Sequence, residues 1–191
     1  ADNTGAREMT AASGHVGLVW RLADAVVPYA NVSTAFETPT TTELQVRPDG
    51  QGGFNPDLGP QRIRTIEVGA RGRLSAHASY ELALFQADAE DAIVQFLETN
   101  GRAFFRNAGQ TRSRGLEAGI TARPVSWVEL RAAWTLADYR FTDYIISLTA
   151  TTADTLDGNR LAGVPRQALR LGARFSWREA SFDIDHTTQG D

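Results

Sequence analysis

Apolar and polar side chains alternate one for one along several stretches of this chain. Between Leu169 and Arg178, the residues Leu169, Leu171, Ala173, Phe175 and Trp177 are interleaved with Arg170, Gly172, Arg174, Ser176 and Arg178. On a helix the apolar set would scatter around the cylinder, whereas on a strand it shares one face and the arginines share the other. The same period of two sets Ile66, Val68, Ala70 and Leu74 against Thr65, Glu67, Arg71 and Arg73, and sets Tyr80, Leu82 and Leu84 against Ser79, Glu81 and Ala83. It returns in Val128, Leu130, Ala132, Trp134 and Leu136 against Glu129, Arg131 and Thr135.

This pattern predicts eight strands, near residues 15–22, 27–36, 63–74, 77–86, 112–122, 127–138, 168–178 and 181–187. Most have about 10 residues, the length a tilted strand needs to cross a bilayer. The connections around Asp24, Ser75, Pro124 and Glu179 are only a few residues long. Those across 37–62, 87–111 and 139–167 are roughly 25 residues each, and short and long alternate strictly, as in outer-membrane barrels. A soluble antiparallel sandwich also alternates polar and apolar residues, but has no reason to place every long loop at one end. The expectation is an all-β fold: an antiparallel transmembrane β-barrel wall with short periplasmic turns and long extracellular loops. Trp20, Tyr29, Trp127, Tyr139 and Trp177 fall near predicted strand ends, where an interfacial girdle and ordinary packing account for them equally.

Composition narrows the picture only in part. The 191 residues suit one unit spanning 1–191, and 42% hydrophobic residues fit a globule and an alternating barrel alike. No uninterrupted apolar run reaches about 18 residues, so a crossing of the membrane falls to strands. The opening residues Ala1 to Gly5 lack the basic and apolar regions of a secretory signal, and the chain is expected to start inside a longer protein. Cysteine is absent, which excludes disulfides and thiolate chemistry. All 19 basic residues are arginine, and the net charge of −4 argues against general nucleic-acid binding.

Four longer runs carry a family resemblance. They are Tyr29-Ala30-Asn31-Val32-Ser33-Thr34-Ala35-Phe36-Glu37-Thr38-Pro39 with Thr42-Glu43-Leu44, and Phe54-Asn55-Pro56-Asp57-Leu58 with Pro60-Gln61 and Glu67-Val68-Gly69. Further on come Gly101-Arg102-Ala103-Phe104-Phe105-Arg106-Asn107-Ala108-Gly109 with Arg114-Gly115-Leu116-Glu117, and Asp157-Gly158-Asn159-Arg160-Leu161 with Gly163-Val164-Pro165-Arg166. In order and spacing these runs resemble the barrels of TonB-dependent outer-membrane receptors. Nothing here resembles that family's amino-terminal plug or its TonB box, and the chain does not end in an aromatic residue, so it reads as an internal or truncated piece. Barrels of this kind have about 22 strands around a plugged lumen, which makes eight strands about a third of the wall. The resemblance implies an outer membrane of Gram-negative type, energy supplied through TonB by way of the plug, and import of a ferric siderophore or similar scarce nutrient. Haem, cobalamin or a sugar are equally compatible cargoes. A complete eight-stranded barrel of structural or adhesive role, and a soluble sandwich binding domain, stand as alternatives.

For chemistry, the histidines His15, His77 and His186 lie on different predicted strands with no triad spacing, and the expectation is no catalysis. Gly50, Gly52 and Gly53 precede no predicted helix and read as turn residues. Asp88, Glu90 and Asp91 lack the spacing of a dedicated calcium loop, and neither a metal nor a cofactor is expected. The sharper candidates are Arg102, Phe104, Phe105 and Arg106, with Arg160 and Arg166 in the next long loop. Guanidinium and aromatic groups suit an anionic, ring-bearing ligand such as a ferric catecholate or carboxylate chelate. The plainer reading is that Phe104 and Phe105 extend a hairpin above the membrane, while inward arginines pair with Glu67, Glu81, Glu117 and Glu129 across neighbouring strands.

Overall fold

The computed structural model describes residues 5–47, 53–97, 103–107, 109–148 and 153–190. Its strands are β1 (Gly14–Val19), β2 (Val27–Glu37), β3 (Gln61–Ser75), β4 (Ala78–Glu90), β5 (Ile93–Leu97), β6 (Ala103–Asn107), β7 (Gly109–Val125), β8 (Val128–Leu148), β9 (Ala153–Thr155), β10 (Gln167–Trp177) and β11 (Ala180–Gly190). One four-residue helix, α1 (Thr41–Leu44), begins with a capping box between Thr40 and Glu43, which satisfies its first donors. No helix among the described residues is long and apolar enough to cross a membrane.

Eight of these strands form one antiparallel path in the order β1-β2-β3-β4-β7-β8-β10-β11. They are the eight that the alternation predicts. Two-residue turns at Ala76-His77, Ser126-Trp127 and Arg178-Glu179 join β3 to β4, β7 to β8 and β10 to β11, while an Ala23–Val26 bridge closes the β1–β2 turn. Arg178 takes a positive φ of 53°, the backbone a tight hairpin demands. All four turns lie at one end of the sheet, opposite the long connections.

Two features depart from the sequence expectation. First, the strands on the long-loop side run further than the alternation; β8 extends for 21 residues, to Leu148. Beyond the apolar band the regular alternation of residue types stops while the backbone ladder goes on. Second, part of the connection expected across 87–111 is itself a hairpin, β5 paired with β6, and β9 pairs with β8. Stacking of Phe96 on Phe104, centroids 5.6 Å apart, anchors that hairpin.

Register fixes the faces. On β3, Ile66, Val68, Ala70 and Leu74 share one side with Leu82 and Leu84 of β4, Leu116 and Ile120 of β7, Leu130 and Leu136 of β8, and Leu171 of β10. This side is uncovered: Val16 is 78% exposed, Leu18 71%, Leu84 55% and Ile184 51%. A soluble sandwich would bury that face against a second sheet, but among the described residues the buried hydrophobic side chains are Leu58, Ala83, Phe104 and Ala137, and none of them belongs to that face. The path runs from β1 to β11 without pairing the two, so the described sheet is open rather than a closed eight-stranded barrel.

The aromatic residues divide by face. Trp20, Trp127 and Trp177, all more than half exposed, cluster at the two-residue-turn end, as an interfacial girdle requires. Tyr29 and Tyr139 do not belong to it. Tyr29 stands opposite Gly69 and Tyr139 opposite Ser113 on the charged face, so the rim assignment fails for these two because their parity turns them away from the apolar side.

Candidate functional site: the charged trough and the long-loop cluster

The charged face forms a concave trough of about 1030 Å³, lined by Arg71, Arg73, Arg131, Arg170 and Arg174 against Glu81, Asp183 and Asp185. The Arg131 guanidinium lies 3.5 Å from Glu129, 3.6 Å from Asp183 and 3.9 Å from Asp185, tying β8 to β11 across β10. Arg174 reaches Asp183 at 2.7 Å and Arg170 reaches Asp185 at 3.5 Å. Of the carboxylates expected to serve inward arginines, Glu129 does so, held by Arg123 and Arg131. Glu81 stands opposite Arg71 in register, and Glu67 accepts from Asn31 at 3.4 Å. Asp183 and Asp185 of β11 carry most of the rest. Solvated pairs of this kind each contribute about 0–1 kcal/mol, so the network organises a polar wall more than it stabilises it.

At the long-loop end, β6 collects much of the local packing. Phe104 is only 9% exposed, stacked on Phe96, which itself stacks on Tyr144 of β8 at 6.4 Å; Tyr144 in turn touches Phe141 at 4.7 Å. The Arg106 guanidinium covers the outer side of Phe104, 5.3 Å from its centroid, and is otherwise exposed. The Phe105 carbonyl accepts from Asn55 Nδ2 at 3.2 Å. Arg160 is engaged elsewhere: it bridges Arg140 and lies 3.5 Å from Asp138 on the outward side of β8. The Arg166 carbonyl accepts from the Ala137 amide at 2.8 Å. Arg102 lies outside the described residues.

Two asparagines organise this cluster, and neither stands out as a candidate in the sequence. Asn107 Nδ2 donates to the carbonyls of Gly59 at 2.9 Å and Asp91 at 2.7 Å, while its Oδ1 accepts from the Gly59 amide at 2.6 Å. Asn55, 1% exposed, bonds β6 through Nδ2 and turns its own loop through an Asp57 amide at 3.2 Å. Arg7 donates to the carbonyls of Leu58, at 2.6 Å, and Pro56. The segment from Phe54 to Pro60 is therefore held against β6 by directional bonds around a buried Leu58.

Asn107→Asp is a sharp test of this clamp, because it keeps the shape and replaces two donors by an acceptor facing two carbonyls. Leaving such groups unsatisfied costs about 1–3 kcal/mol. Limited proteolysis should cut the 53–60 loop several-fold faster in the variant, with the main sheet unaffected. Equal cutting rates would remove Asn107 from this role.

His15 on β1, His77 in the β3–β4 turn and His186 on β11 are not assembled with one another. Among the described residues no group of three or more histidine, aspartate or glutamate side chains is placed to hold a metal ion.

A single antiparallel meander with an uncovered apolar face, a concave ionic face, two-residue turns at one end and long connections at the other defines a segment of membrane β-barrel wall. Residues 1–191 match the family model for the TonB dependent receptor-like beta-barrel, and the chain belongs to that family. Among solved structures, it is similar to the ferric yersiniabactin uptake receptor FyuA from Yersinia pestis, with 16% identity and a TM-score of 0.67 over 91% of this chain and 24% of that one. It is also similar to the siderophore receptor PiuA from Acinetobacter baumannii (18% identity, TM-score 0.64, 84% of this chain and 23% of that one). The copper transporter OprC shares 18% identity at a TM-score of 0.66, over 90% of this chain and 25% of that one. The chain thus spans about a quarter of the length of these structures.

Proposed function

We propose that this chain forms part of the wall of a Gram-negative outer-membrane receptor that imports a ferric siderophore or a similar scarce nutrient, with energy delivered through TonB to a plug inside the barrel. The observation that carries the reading is the separation of faces in a chain of this family: lipid on the apolar side, a guanidinium-rich trough on the other. A polar plug can rest against that trough, and a hydrated anionic cargo can pass it. Of the solved relatives, one is described as a ferric yersiniabactin uptake receptor, one as a siderophore receptor and one as a copper transporter, which supports a metal-bearing cargo. The activity assigned is import, with no chemical conversion of what is carried. At the entrance, Arg106 offers an exposed guanidinium backed by the Phe104 ring, a surface suited to an anionic ring-bearing chelate.

The test uses the full-length receptor in its host. Deleting the gene, or removing TonB, should abolish uptake of one radiolabelled ferric chelate from a panel of catecholate and carboxylate types. Arg106→Ala should raise the half-saturating concentration several-fold. Uptake of every chelate at the parental rate after gene deletion would sink the assignment.

A further inference from the structure

The registers show how the outward face changes toward the long-loop end. One row across β3, β4, β7 and β8 reads Val68, Leu84, Leu116 and Leu136. The next, about 7 Å nearer the long loops, reads Ile66, Gln86, Arg114 and Asp138. The row after that reads Arg64, Asp88, Arg112 and Arg140, with Arg160 bridged to Arg140. In these two rows five guanidiniums stand against two carboxylates, on the same side of the sheet as the uncovered apolar band. An excess of charge there belongs neither to the trough nor to an aqueous loop.

The guanidiniums are also oriented. Arg112 donates through Nε to Asp88, Arg114 through Nε to Gln86 at 3.0 Å, and Arg140 through Nε to Asp138 at 2.6 Å. The terminal Nη groups of Arg112 and Arg114 have no partner among the described residues, and Arg64 makes no side-chain bond there at all. A hollow of about 340 Å³ opens between Arg112, Arg114, Asp138 and Arg140. Nη donors held in this way match the oxygens of a phosphate, which guanidinium binds in a forked geometry.

We propose that this belt binds the phosphate of an outer-leaflet lipid headgroup, whose acyl chains lie on the row of Leu84, Leu116 and Leu136 beneath it. The proposal rests on reading the long-loop end as the cell exterior. Charge complementarity and continuity with the apolar band favour a lipid over a soluble anion, because only a lipid places its phosphate and its chains in that vertical order.

The experiment compares full-length receptor with a triple Arg64→Gln, Arg112→Gln, Arg114→Gln variant and with the corresponding triple lysine variant, all purified in detergent and shown folded by their heat-modifiable mobility. The probes are bisphosphorylated lipid A, dephosphorylated lipid A and inorganic phosphate, followed by native mass spectrometry and titration. Lipid A should bind the glutamine variant at least tenfold more weakly, the lysine variant should recover part of that loss, and dephosphorylated lipid A should not distinguish the three proteins. Equal lipid A affinity in all three overturns the proposal, as does displacement of lipid A by equimolar inorganic phosphate, which would mark a free-anion site. Absence of the receptor from the outer-membrane fraction would overturn the receptor reading as well, whereas correct location with unchanged lipid A binding overturns this inference alone.

Discussion

Gly69→Ala and Gly115→Ala should each sharply reduce the folded receptor recovered from the outer membrane, although glycine to alanine within a strand normally helps. A Cβ at Gly69 would lie 2.5 Å from the Leu82 carbonyl oxygen, 2.5 Å from Cζ of Tyr29 and 2.6 Å from its hydroxyl oxygen. A Cβ at Gly115 would lie 2.6 Å from two ring carbons of Phe85 and 2.8 Å from the Leu136 carbonyl oxygen. Both are directly paired aromatic-glycine positions on the concave face, where the ring covers backbone that the glycine leaves bare. Overpacking of this kind costs about 1–3 kcal/mol, against a gain of about 0.5–1 kcal/mol from restricting glycine. Because a backbone oxygen cannot move aside as a side chain can, removing the ring with Tyr29→Ala should rescue Gly69→Ala only in part. Denaturant titration of the full-length receptor in vesicles measures both variants; stabilities at or above the parental value would show that the rings move away freely.

Leu84→Arg should cost about 2–4 kcal/mol in lipid vesicles, the penalty of a cation in the middle of a bilayer on the outside of a barrel. Leu84 is 55% exposed. Were that face in water, substitution there would fall within about 0.5 kcal/mol of neutral, so the size of the loss decides what covers the sheet. Gln86→Arg, one row nearer the long loops and beside Arg114, should cost about 0–1 kcal/mol. The contrast between the two variants, read from unfolding midpoints in the same vesicles, measures the edge of the apolar band. Losses that are small and alike at both positions would refute a lipid-facing surface.

The same contrast explains what could be read from residues alone. Between Leu169 and Trp177 each apolar residue sits on the lipid side and each arginine on the trough side, because a strand that separates two solvents must alternate with its pleat. That requirement acts on every membrane-crossing segment, so all eight strands and the short connections between them were legible. Above the band it lapses. The last ten residues of β8 and the β5–β6 hairpin do not keep the one-for-one alternation, and no period marks them as strand.

For the site, residue type was a weaker guide than parity and partners. Phe104 and Arg106 were singled out together and do lie together, yet the first is buried in a ring stack and only the second faces solvent. Arg160 was grouped with them by chemistry, but its bridge to Arg140 sends it to the outward face. Asn55 and Asn107 were invisible as candidates because their importance lies in backbone groups nearly 50 residues away, at Phe105 and Gly59. Sequence determined the two-solvent character of this chain, its strand order and its short turns, since each follows from local alternation and turn chemistry. Tertiary structure alone decided which arginines share a row, which rings cover which glycines and which loop is clamped to β6, because those depend on the register between strands, a relation that no single strand encodes.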